Sequence, residues 1–387
     1  MNPLQDLIRA EIGATGPIPF ARFMELSLYC PEYGYYERIG NIIGRCGDFF
    51  TSASVGRLFG ELLAFQFAQW LDRIADSPRH PATTNDRFHC VRLLEAGAHD
   101  GRLAEDILGW IETRRAPLFE NLEYWILEPS GRRRDAQRKT LRGHLSKVRW
   151  YDSWQALPAP GFCGVMFSNE LLDAFPVHRL GWDAGTRNWF EWGVGLQRDK
   201  FVWIHLPKLS PGVETHLLEN GPDPRCRGSH HPMPRGLAEV LPDDFTIEVC
   251  PAAVDWWRRA AGVLRRGRLL TFDYGLSAEE FLLPRRARGT LRAFYRHQWN
   301  DDVLLRTGLQ DLTSHVDFTA LRSAGESAGL KTGGFDTQTA FLTRIAEATW
   351  KDPPAFGEWD SSRVRQFQTL THPEHMGRAF RVLVQKR

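Results

Sequence analysis

Val91-Arg92-Leu93-Leu94-Glu95-Ala96-Gly97-Ala98-His99-Asp100-Gly101-Arg102-Leu103 is the stretch on which the reading of the fold turns. An apolar run ends in a carboxylate, a glycine-bearing turn follows, and Leu103, Ile107 and Leu108 then recur at helical spacing. Strand, tight turn and helix in that order open a doubly wound α/β sheet. Ligands of such sheets lie outside the carboxyl ends of the strands. Glu95 and the residues after it are therefore expected at a binding crevice.

The turn discriminates between two nucleotide-type ligands. The dinucleotide fingerprint G-x-G-x-x-G puts glycine where the backbone meets a pyrophosphate. Its second and third glycine positions here hold His99 and Arg102. A side chain at position 99 would crowd a phosphate, which argues against a nicotinamide or flavin dinucleotide. S-adenosylmethionine has no phosphate and carries a positive sulfonium, to which a neighbouring carboxylate is attracted. The acidic-x-Gly-x-x-x-Gly pattern of Glu95, Gly97 and Gly101 suits that ligand better. Glycine turns between strand and helix are common in α/β folds, so the turn alone does not decide.

Working outward, a second strand over 122–127 ends at Glu128, and a strongly basic helix follows over 131–143. Few aromatics interleave with its arginines, so a solvated face is expected rather than a nucleic-acid groove. A third strand at 148–151 precedes Asp152. A fourth, 162–167, runs into Ser168-Asn169-Glu170-Leu171-Leu172-Asp173, and hairpin-like strands follow at 177–182 and 188–193. Upstream, residues 3–30 read as two short helices. Thr51 or Ser52 reads as the N-cap of a helix running to about Ile74. Downstream, 207–245 is rich in proline and glycine and is expected to be a long loop or lid. Helices are expected from Pro251 to Leu264, after 311–318, and over 337–345. Further strands are expected at 268–273 and 377–385, with a strand or turn at 289–298. The expected division is an N-terminal helical segment (1–86), a Rossmann-like core (87–206), the lid (207–245), and the rest of the core with an accessory region (246–387).

The chain has 387 residues, past the length at which one core usually keeps growing. A formal charge of +2 is too mild to imply nucleic acid or an anionic membrane as a default partner. None of the six cysteines forms a C-x-x-C pair, so no metal site or disulfide framework is expected, and reduced thiols in a cytoplasmic compartment are the plain reading. No run of about 18 apolar residues suggests a membrane span. The first twelve residues lack the pattern of a signal peptide, and a mitochondrial location would require a presequence already removed.

Together, GDFFTSASVGRLFGE (47–61), LLEAGAHDGRL (93–103), WILEPSGRRRDAQ (125–137), SNELLDAFPVHRL (168–180), IEVCPAAVDWW (247–257), LLTFDYG (269–275), GTLRAFYRHQ (289–298), DLTSHVDFTAL (311–321) and HMGRAFRVLVQ (375–385) span nearly the whole length. In this order the set resembles the MidA-type methyltransferases, the mitochondrial complex I assembly-factor arginine methyltransferase and its bacterial relatives. The resemblance implies a class I S-adenosylmethionine-dependent methyltransferase fold and a protein arginine as acceptor, linked to assembly of a respiratory complex. One departure stands out: the family's turn generally reads E-x-G-P-G-x-G, and His99 replaces a glycine in it. Histidine tolerates unusual backbone angles better than most residues.

The expected cofactor residues follow. Glu128, at a strand end, can accept from both ribose hydroxyls, or it is simply an acid favoured at a helix start. Glu95 would hold the amino-acid end of the cofactor, with Gly97 and Gly101 letting the backbone pass close. Asp152 could accept from the adenine amino group, or be a solvent-facing turn acid. The resemblance places Asp48, Thr51 and Ser52 in a loop over the cofactor, with helix capping as the alternative. Asn169, Glu170 and Asp173 follow the fourth strand, where this fold puts its catalytic loop. The segment looks like the acidic loop of protein arginine methyltransferases, with Glu170 as the clamp for a guanidinium. Glu191 is a second candidate clamp or a strand-edge acid. Glu248 and His297 rank behind these, and His178 and His315 read as structural. Rival functions are methylation of a small molecule or RNA, and a non-catalytic assembly module. The lid and N-terminal helices could also build a homodimer surface.

Overall fold

A computed structural model describes residues 2–38, 51–75, 91–220, 236–296, 298–374 and 376–387. Asp48 and His297 lie outside the described residues. The chain forms two compact units, each assembled from three separate segments: Met1–Phe49, Leu172–Trp257 and Tyr274–Ala324 in one, and Phe50–Leu171, Arg258–Asp273 and Gly325–Arg387 in the other. The four consecutive segments expected from sequence are replaced by this interleaving, because strands far apart in the chain pair side by side.

The second unit is built on the predicted sheet. Its strand order is Lys331–Thr337, Phe380–Lys386, Leu264–Leu276, Phe162–Asn169, Arg92–Ala96, Glu123–Leu127 and Val148–Tyr151. The last five of these run parallel. Arg92–Ala96 sits where the order reverses: the next strands in sequence go to one side, and Phe162–Asn169 to the other. That is the switch point at which such sheets bind ligands. The central strands are buried on both faces, which explains why they read as continuous apolar runs. Helix Leu58–Ala75 covers them, with Phe59 packing edge-on against Phe272 and Phe67 against Phe167. The strand expected at 268–273 is longer, Leu264–Leu276. In the basic helix, Gly131–Thr140, most side chains face solvent and Gln137 is the buried one, in line with the solvated-face reading.

The first unit carries an antiparallel sheet in which His178–Asp183 pairs with Asn188–Gln197 and with Thr246–Val249. Helices Pro3–Thr15 and Phe20–Tyr29 bury Leu4, Ile8, Phe20, Phe23 and Met24 in its main apolar cluster. The lid expectation is corrected in part. Val213–Asn220 is a helix, and Val213 and Leu217, four residues apart, pack with Trp182, Leu241 and Phe245. No described helix is long and apolar enough to cross a membrane.

Candidate cofactor-binding and catalytic site

Strand register brings the expected residues to one edge of the second unit's sheet. Ala96 lies opposite both Leu127 and Ser168, and Leu127 lies opposite Tyr151. Gly97, Glu128 and Asp152 therefore leave the sheet together, beside Asn169, the last residue of its strand. The Gly97 N–H donates to the Leu127 carbonyl at 3.2 Å. Its φ is +72°, which favours glycine, and a Cβ there would lie 2.7 Å from Leu171 Cδ1, so that methyl would have to move aside. His99 takes the left-handed conformation, φ 45°, in place of the family's glycine. Gly101, φ +85°, caps helix Arg102–Arg114. Burial holds the His99 imidazole below its ordinary value.

Two buried acids stand at the strand ends, Glu95 one residue inside its strand and Glu128 just past its own. Glu95 is 2% exposed and accepts from the Tyr124 hydroxyl at 2.7 Å. Burial pushes its carboxyl from 4.5 up to about 8; the Tyr124 hydrogen bond opposes this, while Asp100 and Glu128 add to it. Near neutral pH the side chain keeps its proton, and a cation brought against it would favour the charged form. Glu128 accepts from Ser130 N at 3.0 Å and from Gln137 Nε2 at 3.1 Å, which fixes its orientation. Gln137 also donates to the His99 carbonyl at 3.0 Å and accepts from Trp150 Nε1 at 3.0 Å. This amide ties the glycine turn to the second acid, and the sequence reading passed it over. The one signal available was an uncharged polar residue among arginines. Asp152 is exposed and accepts from Ser153 Oγ at 2.9 Å.

The segment after the fourth strand is held rigidly. Glu170 adopts φ 51°, a conformation costing a non-glycine residue about 1–3 kcal/mol. Its N–H donates to the Phe272 carbonyl at 2.8 Å, and the Leu171 N–H donates to Asp273 Oδ2 at 3.2 Å. Asp273 lies in the 269–275 segment, where nothing in the local pattern points to this bond. Glu170 Oε1 accepts from Asn169 Nδ2 and from the Ser52 N–H, both at 2.9 Å. Asn169 Oδ1 is buried and has no hydrogen-bond partner among the described residues. An unsatisfied buried acceptor of this kind typically costs about 1–3 kcal/mol. Acceptors at three strand ends fit a ligand that presents an ammonium, ribose hydroxyls and a sulfonium, and would repel a phosphate.

Thr51 is a cap, but of the short 3-10 turn Ser52–Ser54 rather than of the long helix, which starts at Leu58. Ser52 Oγ donates to Gln338 Oε1 at 3.1 Å, so its contribution to the Glu170 carboxylate comes from the backbone.

Asp173 and Glu191 belong to the first unit. Asp173 is buried, and its carbonyl accepts from Ser314 N at 2.9 Å. Glu191 departs from the expected clamp. It is fully buried, and its carboxylate accepts from His178 Nδ1 at 2.7 Å, Ser210 N at 2.6 Å and Ser210 Oγ at 3.0 Å. The carboxylate is spent on holding its own sheet. His315 is held down to about 4 by burial and by Arg286 and Arg292, in keeping with a structural role.

Comparison with known proteins agrees with this geometry. A family model of S-adenosyl-L-methionine-dependent methyltransferases matches residues 62–336. A crystal structure of a Burkholderia thailandensis protein bound to S-adenosyl-homocysteine is 31% identical, covers 100% of this chain and 92% of its own, and superposes with a TM-score of 0.79. The mitochondrial protein arginine methyltransferase NDUFAF7 of Mus musculus is 27% identical over 98% of this chain and 83% of its own length. Its Danio rerio counterpart is 25% identical over 96% and 84%. These relatives are named mitochondrial, so the cytoplasmic placement expected from the cysteines gains no support from them. The α/β fold, the S-adenosylmethionine cofactor and the enzyme class agree with the resemblance read from the ordered segments, and the chain belongs to the S-adenosyl-L-methionine-dependent methyltransferase family.

Proposed function

We propose that this enzyme methylates an arginine side chain of a protein. The observation that carries the reading is Glu170, a carboxylate kept in a left-handed backbone conformation and oriented by Asn169 Nδ2 and the Ser52 N–H. The names of relatives aligned over nearly the whole chain support it. By the same resemblance, a subunit of a respiratory complex is the acceptor class to test first.

Glu95, Gly97, Gly101, Glu128 and Asn169 are the residues proposed to hold the cofactor. Bound S-adenosylmethionine supplies the electrophilic methyl carbon and leaves as S-adenosylhomocysteine. A guanidinium, with a pKa above 12, has little free nucleophilic lone pair. Glu170 concentrates that electron density on one terminal nitrogen by holding the cation. It then accepts the proton as the new N–C bond forms and the S–C electron pair returns to sulfur. The Glu170 N–H donating to the Phe272 carbonyl and the Leu171 N–H donating to the Asp273 carboxylate fix the backbone that carries Glu170, so positioning supplies much of the acceleration.

The experiment is incubation with methyl-labelled S-adenosylmethionine and a host lysate. Label is expected in a protease-sensitive, nuclease-resistant band that yields methylarginine on hydrolysis. Label confined to RNA or to small molecules would overturn the arginine reading.

A further inference from the structure

A second carboxylate, in the first unit, is built to receive a cation. Glu248 lies on strand Thr246–Val249 and is 5% exposed. Its Oε2 accepts from Thr290 N at 2.6 Å and Thr290 Oγ1 at 3.0 Å. Thr290 Oγ1 is itself fixed, accepting from His315 N at 3.1 Å and lying 3.1 Å from Ser314 Oγ. The other oxygen, Oε1, is buried and has no hydrogen-bond partner among the described residues.

No described lysine, arginine or histidine forms an ion pair with this group. The obvious counter-ion is present and turned elsewhere. Arg179 is the register partner of Glu248 across the sheet, yet its guanidinium stacks over Trp203 at 4.8 Å and donates to the Arg288 carbonyl at 3.2 Å. Gly289 has φ +78°, and a Cβ there would come within 2.2 Å of Oε1, so only glycine lets the carboxylate lie against this backbone. A buried carboxylate with one oriented oxygen, one unsatisfied oxygen and no counter-ion is costly to fold. It is accounted for when a cationic ligand completes it.

We propose that Glu248 is the receptor for a guanidinium of the acceptor protein, which donates to Oε1 and neutralises the buried charge. The proposal rests on the arginine reading above. A guanidinium suits the place better than an ammonium because it is planar and less strongly hydrated, and so is cheaper to bury.

The test uses the full-length enzyme and three probes: Nα-acetyl-arginine amide, its uncharged isostere Nα-acetyl-citrulline amide, and Nα-acetyl-lysine amide. Binding is followed by saturation-transfer NMR. Wild type is expected to bind the arginine probe roughly tenfold or more tightly than citrulline. Because Glu170 also holds a guanidinium, the preference is compared in a Glu170→Gln background, where adding Glu248→Gln is expected to abolish it while affinity for S-adenosylmethionine stays within twofold; Glu248→Gln alone should raise KM for the protein acceptor more than it lowers kcat. Equal binding of arginine and citrulline by wild type, a measurement that needs no variant, overturns the proposal. So does a preference that survives adding Glu248→Gln to a folded Glu170→Gln enzyme. A preference for the lysine probe refutes the guanidinium assignment. Failure of the arginine reading is seen separately, as absence of methylarginine in the labelled protein. Thr290→Val, which removes only the hydroxyl donor, should weaken the arginine preference partially.

Discussion

Replacing Glu95 by glutamine should stabilise the ligand-free enzyme in alkaline solution, and the size of the effect follows from burial. The carboxyl is carried from 4.5 to about 8 in the folded protein. Below pH 4.5 folded and unfolded chains both hold the proton, and the group favours neither. Between pH 4.5 and 8 the unfolded chain has released it while the folded chain retains it, so stability falls by about 1.4 kcal/mol per pH unit. Above pH 8 both states are ionised, and the cost levels off at roughly 5 kcal/mol as an upper figure. Glutamine never ionises and still offers an oxygen to the Tyr124 hydroxyl, which donates to Glu95 at 2.7 Å. Urea denaturation of both proteins without cofactor, at steps from pH 5 to 9, measures the gap directly. It should open through that window in favour of the variant and then flatten. A gap independent of pH, or a wild type more stable at pH 8, would refute the burial argument. Cofactor binding should reverse the sign. The sulfonium favours ionised Glu95, so wild-type affinity for S-adenosylmethionine should tighten as pH rises towards 8, by at most about tenfold per unit. Affinity of Glu95→Gln should stay flat.

Glu128→Ala should weaken S-adenosylmethionine binding by about 100-fold or more by calorimetry, since hydrogen bonds to a charged group contribute about 1.5–3 kcal/mol each. Retention within threefold would shift the role to its neighbour Gln137. Glu170→Gln should leave cofactor affinity within twofold and lower turnover by about 10²–10⁴, the usual range for a lost proton acceptor; single-turnover label transfer at the wild-type rate sinks the assignment. His99→Gly should raise the thermal midpoint by relieving a left-handed residue worth about 1–2 kcal/mol, with the Gln137 contact to the backbone carbonyl retained. A large loss of cofactor affinity in that variant would mean the imidazole itself is part of the pocket.

Much of the second unit was legible residue by residue. Leu93 and Leu94 announce a strand buried on both faces, and Glu95 and Glu128 stand where strands of this kind end. Gly97 and Gly101 mark positions that only a side chain of minimal size can hold without strain. The first unit was harder to read. Proline and glycine around 207–245 hid the helix Val213–Asn220, whose apolar pair Val213 and Leu217 is too short a signal to outweigh its surroundings. Glu191 reads as an available acid from its strand, and nothing local says that His178 and Ser210 occupy it.

From sequence alone come the strand-turn-helix opening, the acids at the strand ends, the refusal of a pyrophosphate at His99, and the ordered segments that name the family. These are properties of neighbours in the chain, written in side-chain period, turn chemistry and motif order. Only the tertiary structure decided that each unit is assembled from three separate segments, that Gln137 joins the glycine turn to Glu128, and that Asn169 and Glu248 each keep an oxygen without a partner among the described residues. Those outcomes depend on which distant residues meet: Ser52 reaches Glu170 across 118 positions, and Thr290 reaches Glu248 across 42. A buried polar atom is costly or useful according to the partners it finds in space, and no local pattern specifies those partners.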